Sequence, residues 1–96
     1  MQFAKALREK VKRGRITVSV RVWQNPRVKL GGRYPLEGGH IVVDSIELIK
    51  RKDITHDLAR ESGFESVEAL WKMAKHGPGN KIYLVRFHYL TPGAWN

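Results

Sequence analysis

The sequence contains no cysteine. This removes disulfide frameworks, thiolate nucleophiles and every zinc site built on sulfur, and it fits a reducing, cytoplasmic setting. No apolar run approaches the roughly 20 residues that a bilayer helix requires, so a membrane is not expected as a partner. The amino-terminal stretch MQFAKALREKVKRGR mixes charge with apolar residues throughout and does not read as a secretory signal. Internal repeats and low-complexity tracts are lacking. Gly31-Gly32-Arg33 and Gly77-Pro78-Gly79 lack the Lys-Ser/Thr and strand-to-helix context of a phosphate loop. His40, His56, His76 and His88 are scattered without a second ligand at metal-binding spacing. Neither a metal nor another cofactor is therefore expected.

Acidic residues are scarce in the first third of the chain. Residues 1–35 hold ten lysines and arginines against one acid, Glu9, whereas the remainder is balanced at eight against eight. The whole formal charge of +9 is thus a local field. Such a field concentrates polyanions, of which nucleic acid is the commonest in a cytoplasm. With 96 residues, 42% of them hydrophobic and 28% charged, the chain has the proportions of one globular domain covering residues 1–96.

Phe3, Leu7 and Val11 recur at helical spacing and are followed by Gly14, which predicts an amphipathic helix closed by a glycine. Ile16, Val18, Val20 and Val22 then alternate with Arg15, Thr17, Ser19 and Arg21, predicting a strand with a dry face and a polar one. Paired Gly and Pro residues punctuate residues 23–39, a long loop with one short edge strand near residues 33–36. Residues 40–52 read as a long strand of mixed parity, buried on both faces or broken by a bulge. Thr55 caps a short helix through Arg60, ended by Gly63, and a second helix covers about residues 66–75, with Trp71 and Met73 reading as core. Residues 82–90 form the strongest strand pattern, with Tyr83, Val85, Phe87 and Tyr89 on one face. The order predicts an α+β fold: a small curved sheet or barrel flanked by helices.

The polar face of the first predicted strand aligns two guanidinium forks with two hydroxyls, a combination suited to phosphate or carboxylate oxygens. The adjoining loop adds Arg27, Lys29 and Arg33, and Trp23 and Tyr34 bracket it. Aromatics interleaved with bases suit single-stranded RNA, whose unpaired bases stack on rings. The candidate nucleic-acid-binding residues are Lys12, Arg13, Arg15, Thr17, Arg21, Trp23, Arg27, Lys29 and Arg33. For catalysis the candidates are Ser19, Lys29, Tyr34 and Glu61, with His88 as an alternative general base in RNA cleavage. Each has a plain alternative, a solvated surface for the charges and the core for Trp23.

Residues 14–21, Gly-Arg-Ile-Thr-Val-Ser-Val-Arg, resemble the first-strand signature of the ASCH domain, a member of the PUA-like superfamily. The preceding Phe3, Leu7 and Val11 helix, the strand over residues 43–49, Ile54-Thr55 followed by residues 58–64, and the closing strand over residues 82–87 extend the resemblance over nearly the whole chain. It implies a β-barrel of five to six strands flanked by two to three short helices, with a basic cleft beside the first strand for RNA or modified nucleosides. Some members are ribonucleases and others acylcytidine amidohydrolases. Gly14 and Arg21 match the signature, Ser19 stands where the family has Glu or Thr, and Ile16 stands where the amidohydrolases have their Lys; Glu61 corresponds to their later Glu. Isoleucine can neither act as a base nor hold a charge, which counts against the amidohydrolase reaction. The readings are therefore an RNA- or nucleotide-binding module, a ribonuclease, and an adaptor for an acidic partner.

Overall fold

The computed structural model describes residues 3–74 and 79–92. It is α+β, with a curled four-stranded antiparallel sheet and three α-helices. In chain order these are α1 (Lys5–Lys12), β1 (Val18–Trp23), β2 (Arg33–Leu36), β3 (Gly39–Ile49), α2 (His56–Glu61), α3 (Val67–Ala74) and β4 (Lys81–Leu90). A single turn of 3-10 helix, Arg51–Asp53, joins β3 to α2. None of the described helices is long and apolar enough to cross a membrane.

α1 forms because its Phe3, Leu7 and Val11 stripe is buried against the sheet, and it stops at Gly14, which takes φ 74°. There the Gly14 N–H donates to the Val11 carbonyl and the Arg15 N–H to that of Lys10, a Schellman closure that satisfies the orphan carbonyls of the last turn. The Ile16 N–H also donates to Lys10, so Arg15 and Ile16 belong to the cap and β1 starts only at Val18. At α2 the Thr55 Oγ1 accepts from the Leu58 N–H at 3.1 Å, the predicted N-cap. Ser66 does the same for α3, accepting from Ala69 at 3.1 Å.

The strand order is β1-β4-β3-β2, so the most apolar strand is central. β4 pairs antiparallel with β1 on one side and β3 on the other. The β3 register shifts between Val43 and Ser45, the bulge that its mixed parity allowed, with Asp44 as the extra residue. One sheet face, carrying Tyr83, Val85 and Phe87 of β4, packs with Phe3, Val11 and Trp23. The other, carrying Val18, Val20 and Leu84, packs beneath Ile54, Ala59 and Leu70 of the α2–α3 segment.

The resemblance implied five or six strands, whereas the described residues form four. Residues 24–32 account for part of the difference: they run as a loop whose Gly31 N–H and Gly32 carbonyl bond to Val43, so they lie beside β3 without adding a strand. The predicted end of α3 at Lys75, with Gly77-Pro78 beyond it, lies outside the described residues.

Candidate functional site

β1 is an edge strand, paired among the described residues with β4 alone. Along its free edge runs a cleft of about 600 Å³. Five consecutive β1 residues, Ser19 to Trp23, form its floor. Phe3, Ala4 and Leu7 at the start of α1 form one wall, and Phe64, Met73 and Ala74 of the α3 region form the other, with Arg27 from the following loop also in the lining. The Leu7 stripe and the α3 stripe each turn one flank toward the sheet, and the gap between the two helices is the cleft.

At its centre is Arg21. Its Nε donates to the Ser19 Oγ at 2.8 Å, and its guanidinium carbon lies 5.0 Å from the centroid of the Phe3 ring. Phe3 is in turn tilted against Phe87 at 5.4 Å, and the Arg8 Nε donates to the Phe3 carbonyl at 3.0 Å, so the ring that carries Arg21 is fixed from two sides. Burial lowers the Arg21 guanidinium from its usual value to about 10, the direction expected where water is withdrawn from a cation. Trp23 is buried and packs on Tyr83 with ring centroids 5.9 Å apart. The described lining thus holds two arginines, one hydroxyl, three aromatic rings and no carboxylate. An anion with a flat apolar body matches that composition.

The polar face expected of β1 is not a wet face. Ser19 is buried and Arg21 largely so, because their side chains point to the same side as Trp23, under α1. Of the proposed nucleic-acid contacts, Arg21, Trp23 and Arg27 line the cleft. Lys12 and Arg13 are exposed at the end of α1, where the Arg13 Nε is bonded to the Glu9 Oε1 at 3.0 Å. Arg15 and Thr17 are exposed between α1 and β1, and the Thr17 carbonyl accepts from the Phe87 N–H at 2.9 Å. Lys29 is exposed in the loop and Arg33 on β2, at the far end of the strand order.

The four catalytic candidates are not brought together on this cleft. Ser19 lines it, while Lys29, Tyr34 and Glu61 do not. Tyr34 stands on β2, half-buried against the core, and its hydroxyl accepts from the Lys29 N–H at 2.8 Å. Glu61 is exposed at the end of α2. His88 lies on the outer side of β4, its Nδ1 2.8 Å from the Asp44 Oδ1 on the bulge. Ile16 is buried, with its Cδ1 against the position where Gly63 would carry a Cβ.

Met73, expected in the core, is 46% exposed and forms part of the cleft wall. Trp71 is half-buried, and the Arg51 guanidinium lies 4.3 Å from its ring centroid. Phe3, Leu7 and Phe64 as cleft walls are not apparent from the sequence. Helical spacing marks Phe3 and Leu7 as facing the core, Phe64 lies in the turn between α2 and α3, and only the strand order shows that these apolar groups stop short of each other at the β1 edge. No family model, curated protein or solved structure matches this chain.

Proposed function

We propose that this protein is a binding module for single-stranded RNA or a nucleotide, of the ASCH type, with the β1 cleft as its site. The observation that carries the reading is the cleft's composition: two arginines, no described carboxylate, and aromatic walls, at the edge of a segment that holds the whole net charge. Arg21 and Arg27 take phosphate oxygens, the Phe3 and Phe64 side offers apolar surface to a base, and the exposed Lys12, Arg13, Arg15, Lys29 and Arg33 add to the positive field outside the cleft. The order of elements and a cleft beside the first strand agree with the ASCH resemblance, and the curled half-barrel is read as part of a PUA-like barrel. Binding rather than hydrolysis is supported because Ile16, at the position of the amidohydrolase lysine, is buried, and because Ser19 has none of the other candidate groups beside it on the cleft.

Fluorescence anisotropy with a short labelled RNA tests this. On single strands log K falls by about 0.7 per phosphate contact for each log unit of salt, so three contacts predict roughly a twentyfold loss between 50 and 200 mM. Arg27→Glu is expected to weaken binding strongly and Lys72→Glu on α3 hardly at all. Undetectable binding at 50 mM salt, or equal effects of the two variants, overturns the proposal. Equal competition by heparin favours the adaptor reading instead.

A further inference from the structure

In an antiparallel pair, directly opposed residues alternate between those that exchange backbone hydrogen bonds and those that exchange none. The Phe87 N–H donates to the Thr17 carbonyl at 2.9 Å, and the two residues stand opposite each other, one step beyond the Val18–Arg86 pair. Alternation then puts the bonded pairs at Ser19–Val85, Arg21–Tyr83 and Trp23–Lys81. Val20 and Val22 therefore aim both amide and carbonyl away from β4, at the free edge of β1. No strand among the described residues pairs with that edge. The side chains of Val20 and Val22 are buried on the opposite face from that of Arg21, so what these two residues add to the cleft they line is main chain. The cleft walls stand on either side of the sheet plane: Phe3 and Leu7 pack with the Phe87 face, Phe64 and Ala74 with the Leu84 face. The result is a slot that continues the plane of the sheet, with amide and carbonyl pairs on its floor and apolar groups above and below.

Resting on the RNA-binding reading above, we propose that the Val20 and Val22 edge of β1 binds the Watson–Crick edge of one unpaired base. Every base carries a donor and an acceptor side by side on that edge, and the amide and carbonyl of a single strand residue complement them. A base is flat, so it enters the slot in the plane of the sheet and lays its two faces on the Phe3 and Phe64 sides. An added peptide strand fits worse, because its side chains alternate to both faces of the sheet, where α1 and α3 already stand. The charge of the lining fits the same nucleotide: Arg21 and Arg27, with no described carboxylate beside them, take its phosphate. Main-chain groups carry no preference among the four bases, since each can turn its donor toward the carbonyl. What the site selects is a base free of its pairing partner.

Modified uridines separate this contact from the phosphate contacts. A methyl group on uracil N3 removes the donor and blocks the Watson–Crick edge while leaving every phosphate in place, whereas a methyl group on C5 leaves that edge intact. In fluorescence anisotropy with the native protein at low salt, a labelled hexamer of N3-methyluridine is expected to bind roughly tenfold more weakly than the uridine hexamer, the loss of two hydrogen bonds. Its dependence on salt is expected to be unchanged, because the phosphate contacts remain. The 5-methyluridine hexamer is expected to bind as the unmodified one does. Equal binding of the N3-methylated and unmodified hexamers overturns the proposal and leaves the RNA reading standing, and so does an equal loss on methylation at N3 and at C5. Absence of binding by all three overturns the RNA reading and the proposal with it. Tighter binding of a Glu-Val repeat hexapeptide than of the uridine hexamer gives the edge to strand addition and also overturns it.

Discussion

Replacing Arg21 with methionine separates a residue kept for binding from one kept for stability. The lowering of its guanidinium by burial to about 10 corresponds, at 1.36 kcal/mol per pH unit, to about 3 kcal/mol of desolvation against the charged form. This is an upper figure, since an arginine stays protonated and part of the group remains wet. Against it stand the hydrogen bond to Ser19, about 1 kcal/mol, and the contact with the Phe3 ring, about 1 kcal/mol. Methionine keeps the apolar bulk and removes the buried charge, so the expected net effect is a stabilisation of about 1 kcal/mol. In a domain of this size that is roughly 4–8 °C in Tm. The sign of the pH dependence follows. A cation whose pKa is depressed by folding destabilises the fold at every pH below about 10 and is relieved only as pH rises above that value, so the difference from native is flat from pH 5 to 9. RNA affinity is expected to fall about ten- to a hundredfold, the loss of a charged hydrogen bond. Urea unfolding and anisotropy on the same samples read both effects. A variant destabilised by 2 kcal/mol or more would refute the reasoning and make Arg21 a structural residue.

Three further outcomes follow from the packing. Gly63→Ala is expected to lose about 2–4 kcal/mol in urea unfolding, because φ is +96° and the new Cβ would lie 2.7 Å from both the Ile16 Cδ1 and the Leu7 Cδ2; a loss under 1 kcal/mol contradicts the contact. Ile16→Lys restores the amidohydrolase residue type but buries an ammonium at a position 4% exposed, so it is expected to unfold the domain at room temperature without creating acylcytidine hydrolysis. A folded, hydrolytic variant would show that the site is convertible. Thr55→Ala removes the side-chain cap of α2 and is expected to lower stability by about 1 kcal/mol, measured by thermal unfolding, with no change in RNA affinity.

Local signals carried far through this chain. The Gly14 closure, the short β2, the Thr55 cap and the Tyr83, Val85 and Phe87 face were legible because each depends on neighbours in sequence. The bulge was legible as broken parity, though not its position at Asp44. What could not be read was which strand lies at the edge. Period two shows that Ser19 and Arg21 share a face, and it says nothing of what covers that face. Only the register with β4 and the approach of α1 turn an apparent solvent face into a cleft floor. For the same reason Met73 reads as core from its helix, although it is 46% exposed and lines the cleft. Lys29, Tyr34 and Glu61 were grouped by chemistry; Lys29 and Tyr34 do meet, at 2.8 Å on the β2 side of the sheet, but away from the cleft that Ser19 lines, and Glu61 stands apart at the end of α2.

The strand order also sets the sequence of events during synthesis. The only strand partner of β1 among the described residues, β4, is translated some sixty residues after it, whereas β3 can pair with β2 as soon as it is made. At about 5–20 residues per second this leaves an apolar valine strand unpaired for about 3–12 s. The β1 cleft therefore takes its final form only after β4 has been made. A nascent chain halted before residue 81 carries all the arginines of the field and none of the surface that would give them a ligand.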